Sequence, residues 1–129
     1  MSNPLDRFVV AGNANYHTHA KDTVINKPIA ALANRLENGS LMDIPRRSWS
    51  WISPGYGNGE SWRHDFCYRL RMAGNDGWLS IEHEDVLLGR EEGVQKSVNL
   101  LLSVTPVALG DYKLHEFQVM PYQLFGRGH

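Results

Sequence analysis

Apolar and polar positions repeat with two different periods along this chain, and the changes of period mark out its elements. Leu5, Phe8 and Val9 recur at i, i+3 and i+4 behind Ser2, which can cap a helix, and Gly12-Asn13 supplies a stop; a short helix over 4–11 is predicted. The run NYHTHA at 15–20, bounded by turn residues before it and Lys21-Asp22 after it, reads as a strand. Period two then puts His17 and His19 on one face and Tyr16 and Thr18 on the other. Residues 23–54 are long and mixed, with a short helix at 29–36 and a brief strand in RSWSWI at 47–52 as the patterned parts. Trp62, Phe66, Leu70 and Ala73 predict the clearest amphipathic helix, 60–73, which stops at Gly74-Asn75-Asp76-Gly77. Leu79 and Ile81 alternate with Ser80 and Glu82, predicting a strand over 78–83. Val94, Val98, Leu101 and Leu102 predict a helix over 90–104, opened by Glu91-Glu92 and ended by Pro106. Residues 108–129 show no clean period.

Strands alternating with one-striped helices imply an α/β fold, a parallel sheet covered by helices. In such sheets ligands sit beyond the carboxyl ends of the strands. Two polar clusters fall there, His19-Ala20-Lys21-Asp22 after one strand and Glu82-His83-Glu84-Asp85 after the other, so both are expected on one rim.

Composition narrows the partners. The 129 residues are 42% hydrophobic and 21% charged, as in one globular domain. Thirteen Lys plus Arg against fourteen Asp plus Glu leave a net charge of −1, with no basic field to collect nucleic acid or an anionic membrane. No run nears the roughly 18 apolar residues of a membrane span, and the start lacks a signal-peptide layout. Cys67 stands alone, which excludes an internal disulfide and suits a reducing compartment, so a cytoplasmic location is expected.

Several groups carry candidate chemistry. His19 and Glu82 offer an imidazole nitrogen and a carboxylate, donors that suit Mn, Co, Zn or Mg, although a histidine at a strand end also serves as a hydrogen-bonded structural residue. Glu82, Glu84 and Asp85 could hold a metal or a general base, or form a solvated loop. Glu82, on the face of Ser80, needs a partner if it points inward. The turn GYGNG at 55–59 precedes a helix and could cradle phosphate; as a lone pattern it reads better as a tight structural turn. Arg46, Arg47, Trp49 and Trp51 could face a sugar or pack as an aromatic loop. Cys67, beside Phe66, is a small core residue with no assigned chemistry.

Three segments in order, YHTHAKDT at 16–23, RSWSWISPGYGNG at 47–59 and GNDGWLSIEHED at 74–85, resemble the sugar phosphate isomerase/epimerase family, which has a xylose-isomerase-like (β/α)8 barrel. The resemblance covers roughly residues 3–105, and its last segment is the most specific. It implies a partial (β/α)8 barrel, the last two or three βα units over 1–107, followed by a divergent tail at 108–129. It also implies a divalent metal (Mn, Co, Mg or Zn) held at the barrel mouth by two carboxylates, one histidine and a final glutamate. His19 matches the histidine and Glu82 the last glutamate, where Glu82 would also act as the catalytic base of proton transfer through an ene-diolate-like intermediate of a sugar or sugar phosphate. Lys21, Asp22 and His17 are then substrate or supporting contacts, joined by Arg47 and Trp49. Asn58 stands where many relatives carry histidine, which, with the near-zero charge, counts against the endonuclease branch of this superfamily. A full barrel needs about 250 residues, so the early strands and two of the metal carboxylates are expected to lie outside this chain. Catalysis by the chain alone is then incomplete, self-association through exposed sheet edges is expected, and the alternative is a non-catalytic barrel fragment that binds a sugar or a partner chain.

Overall fold

A computed structural model describes residues 3–33, 36–75 and 77–106. In chain order it contains α1 (Asp6–Ala11), β1 (Thr18–Ala20), β2 (Asp22–Ile25), α2 (Lys27–Ala33), β3 (Trp49–Ile52), α3 (Glu60–Met72), β4 (Leu79–Ile81) and α4 (Arg90–Val104). The divergent tail expected at 108–129 lies outside the described residues, as does Ser2. Leu5 occupies the cap position of α1, and its N–H is taken by Asn3 Oδ1 at 3.0 Å.

β1 and β4 pair in parallel, Thr18 opposite Leu79 and Ala20 opposite Ile81, and Glu82 N–H donates to the Ala20 carbonyl at 3.1 Å to extend the ladder. This pair has one apolar and one polar face. Ala20, Leu79 and Ile81 join a core of Leu5, Phe66, Cys67, Leu70, Leu101 and Val104 beneath α1, α3 and α4. Phe8 meets Phe66 edge-on at 5.5 Å, and Trp62 stacks on Phe66 at 5.4 Å. The other face carries His17, His19, Ser80 and Glu82: His17 Nε2 lies 2.9 Å from Ser80 Oγ, and the two imidazoles meet edge-on at 4.9 Å.

β2 and β3 form a second, antiparallel ribbon with Asp22 opposite Ile52 and Ile25 opposite Trp49. β2 falls in the segment read as a mixed connection. Four residues, separated from β1 by Lys21 alone, are too few to display a period of their own.

α3 follows the expected stripe, with Phe66, Leu70 and Ala73 buried. Gly74 ends it at φ +81, its N–H reaching Arg71 O and that of Asn75 reaching Leu70 O, so the last carbonyls are satisfied through a left-handed residue that glycine adopts without strain. α4 matches its predicted span but not its predicted face. Gly93, Ser97, Leu101 and Val104 are buried, whereas Leu102 is 66% exposed. The rotation follows from close packing. A Cβ on Gly93 would collide with the His83 ring and stand 2.9 Å from Ser53 Oγ, and Ser97 hides its hydroxyl by donating to Gly93 O at 2.7 Å. Small residues with satisfied polar groups therefore face inward, where a count of apolar positions does not look for them.

Candidate functional site

The carboxyl ends of β1 and β4 bring His19 and Glu82 together, 63 positions apart in sequence, with Nδ1 3.3 Å from Oε2. Lys21, the link between the two sheets, lies between Glu82 Oε1 at 2.5 Å and Glu84 Oε2 at 2.7 Å. Its ammonium also stands 3.9 Å from the centre of the Trp51 ring. Burial opposes the charge on Lys21, but the hydrogen bonds to Glu82 and Glu84 outweigh it and raise its pKa above the usual lysine value. The Lys21 and His19 hydrogen bonds hold Glu82 below the usual carboxylate range against a smaller opposing effect of burial. Glu82 is thus ionised and partnered near neutral pH. The cluster is open to water, with side-chain exposures of 56% for His19, 39% for Glu82 and 45% for Glu84.

Beside this open cluster lies a buried one. Asp22, 2% exposed, accepts from the backbone N–H groups of Gly55, Gly57 and Asn58 at 3.0–3.3 Å and from Asn58 Nδ2 at 2.7 Å. Gly57 is required there, because a Cβ would overlap the Thr23 carbonyl. The glycine-rich turn does form a cradle of N–H groups, and the anion inside it is Asp22 of the same chain. Arg63, 1% exposed, closes the cluster through Asp22 Oδ2 at 3.2 Å and the Lys21 carbonyl at 2.8 Å, with its guanidinium 4.8 Å from the Trp62 ring centre.

Arg63 was missed by sequence reasoning, and its signal was present: positions 63, 66, 67 and 70 are i, i+3, i+4 and i+7, so this arginine sits on the apolar stripe of α3. Asp85 is also a clip, accepting Ser53 N at 2.8 Å and Leu87 N at 2.8 Å. Desolvation works against its charge, but these bonds prevail and lower its pKa. Arg47 turns inward, 4% exposed, onto Glu37 at 3.5 Å and the Gly39 carbonyl at 2.8 Å. Trp49 and Trp51 meet edge-on at 4.8 Å on one face of β3. Burial raises the Cys67 pKa, which the Thr105 hydroxyl and the Arg63 charge only partly offset, in keeping with an inert core thiol.

The structure therefore brings His17, His19, Lys21, Glu82 and Glu84 to one rim, places Asp22 beneath it, and directs Arg47 elsewhere. Surface hollows of about 380 and 270 Å³ border α3 and Pro106 and include none of these rim residues. Among the described residues no group of three or more His, Cys, Asp or Glu could hold a metal ion, and no helix is long and apolar enough to cross a membrane.

No family model matches the chain. It is 32% identical over 90 residues to a Bacillus subtilis (strain 168) protein named "Uncharacterized protein YfiH". The match takes in 70% of this chain and 29% of that protein, so this chain spans less than a third of the relative's length.

Proposed function

We propose that this chain carries the C-terminal part of a metal-assisted sugar (phosphate) isomerase/epimerase barrel. The observation that carries the reading is the meeting of His19, Lys21, Glu82 and Glu84 at the carboxyl ends of two parallel strands whose opposite face is covered by helices. That is where α/β barrels hold their chemistry. The polar face of His17, His19, Ser80 and Glu82 corresponds in this reading to the barrel interior.

Glu82, ionised and solvent-accessible, is the group to take a proton from the hydroxyl-bearing carbon beside a sugar carbonyl, leaving an ene-diolate, and to return it to the former carbonyl carbon while the hydroxyl proton passes to the former carbonyl oxygen. Lys21 supplies positive charge 2.5 Å from that carboxylate, and the same ammonium would stabilise negative charge developing on a substrate oxygen bound at this rim. A divalent ion would further polarise the carbonyl. His19 and Glu82 provide two donors of suitable chemistry but not a complete shell. In this proposal the remaining donors come from protein beyond this chain, consistent with its spanning 29% of the relative.

Calorimetric titration of Mn(II) into the purified chain, with oligomeric state measured by light scattering in the same sample, tests the reading. One weak site is expected, weakened about 10-fold or more by His19→Ala and by Glu82→Gln. A folded sample that takes up none of Mn, Co, Mg or Zn overturns it. That result favours the second reading, a non-catalytic fragment that binds a sugar or partner chain, for which Lys21 speaks by supplying an internal cation between Glu82 and Glu84.

A further inference from the structure

The rim and its surroundings contain each of the usual means of holding a phosphate, and in each case the chain itself has already engaged it or set a negative charge against it. The N–H cradle of the glycine-rich turn is filled by the Asp22 carboxylate. Of the two guanidiniums buried among the described residues, Arg63 is directed to Asp22 and the Lys21 carbonyl, and Arg47 to Glu37 and the Gly39 carbonyl. The Lys21 ammonium is shared by two carboxylates. The first turns of the long helices α3 and α4 carry Glu60 and, after Arg90, Glu91-Glu92, so carboxylates are already present at their positive ends. Glu82 and Glu84 against Lys21 set two carboxylates against one ammonium at the rim.

What the rim does present is a set suited to hydroxyl groups. Two partly exposed carboxylates accept, one ammonium donates, and two exposed imidazoles do either. The Trp49–Trp51 pair provides apolar surface alongside, with Trp51 in contact with Lys21. We infer that the part of the site encoded in this chain receives an uncharged polyhydroxy sugar or polyol rather than a phosphorylated one. This rests on the proposed isomerase/epimerase reading and names its substrate class.

The test is titration of the full 129-residue chain with a neutral ketohexose, with its 6-phosphate and with inorganic phosphate, following tryptophan fluorescence and the indole N–H resonances of Trp49 and Trp51. The neutral sugar is expected to bind roughly 10-fold more tightly than the phosphate ester, in line with one uncompensated like charge at short range. Glu84→Gln should narrow that gap while the protein stays folded by circular dichroism. Equal or tighter binding of the ester, displacement of the sugar by inorganic phosphate, or no response to any of the three overturns the inference. Mn(II) uptake in the same sample decides the isomerase reading separately: a metal-binding chain that prefers the ester loses only the substrate class. A chain that binds the neutral sugar but no metal loses the enzymatic reading and keeps its ligand.

Discussion

Two carboxylates separated by one strand end illustrate opposite uses of the same chemical group. Asp22 is buried, accepts hydrogen bonds from three loop N–H groups and an amide, and faces Arg63. Glu82 shares the Lys21 cation with Glu84, and 39% of its side chain remains open to water. A carboxylate whose every lone pair is taken by its own chain is an anchor. One that shares an ammonium at the surface can exchange that partner for a ligand at small cost. The Lys21-Asp22 dipeptide therefore divides the work: Asp22 fixes the loop, and Lys21 reaches the open rim.

The comparison breaks most visibly at its buried end. Asp22→Ala leaves Arg63 as an uncompensated buried charge and releases three loop N–H groups, and should cost about 3–5 kcal/mol in urea unfolding, enough to unfold a marginal chain. A loss under about 1 kcal/mol would mean that the pair is not buried in solution. Next come the close approaches. Gly57→Ala against the Thr23 carbonyl and Gly93→Ala against His83 should each cost about 1–3 kcal/mol, whereas Gly39→Ala, where a Cβ meets nothing within 4 Å, should be nearly neutral.

The smallest stability effect belongs to the rim. Lys21→Met should change unfolding free energy by less than about 1 kcal/mol near neutral pH, while altering ligand and metal titrations. Its pH dependence has a definite sign. The lowered Glu82 pKa gives stability that is present above the unfolded-state value and disappears as pH falls through the folded one. The raised Lys21 pKa gives stability that is present below its unfolded value and is lost as pH rises through the folded one. Thermal melts of wild type and Lys21→Met should differ by a constant amount across the middle of the pH scale and converge below the usual carboxylate range. A difference that grows on acidification would contradict the pairing.

Much of this was legible in the sequence, and the reasons differ by region. α4 begins and ends where its Glu91-Glu92 start and Pro106 stop place it, and α3 ends one residue before the expected Ala73. The joint placement of His19 and Glu82 on one rim follows from strand alternation and from the two polar runs lying at strand ends. The buried anchor was not legible. Asp22 and Asn58 look like surface polar residues until the loop folds back over β2, and an arginine on an apolar stripe reads as an interruption until its partner is located. The inward face of α4 was hidden for a related reason, because Gly93 and Ser97 add nothing to an apolar pattern although they set how near the helix lies to His83 and Ser53.

The parallel pairing of β1 with β4 also dictates an order of events. The antiparallel ribbon closes over residues 26–48 alone, and each helix forms within its own segment, whereas β1 meets β4 only after the chain from 21 to 78 has been gathered in. Loop-closure entropy and topology make such long-range contacts slow to form. The His19–Glu82 and Lys21–Glu82 contacts are therefore expected to be among the last to assemble when the chain refolds. A probe at the rim would time the completion of the native state, and a kinetic trace there should lag one taken from the tryptophans of the ribbon.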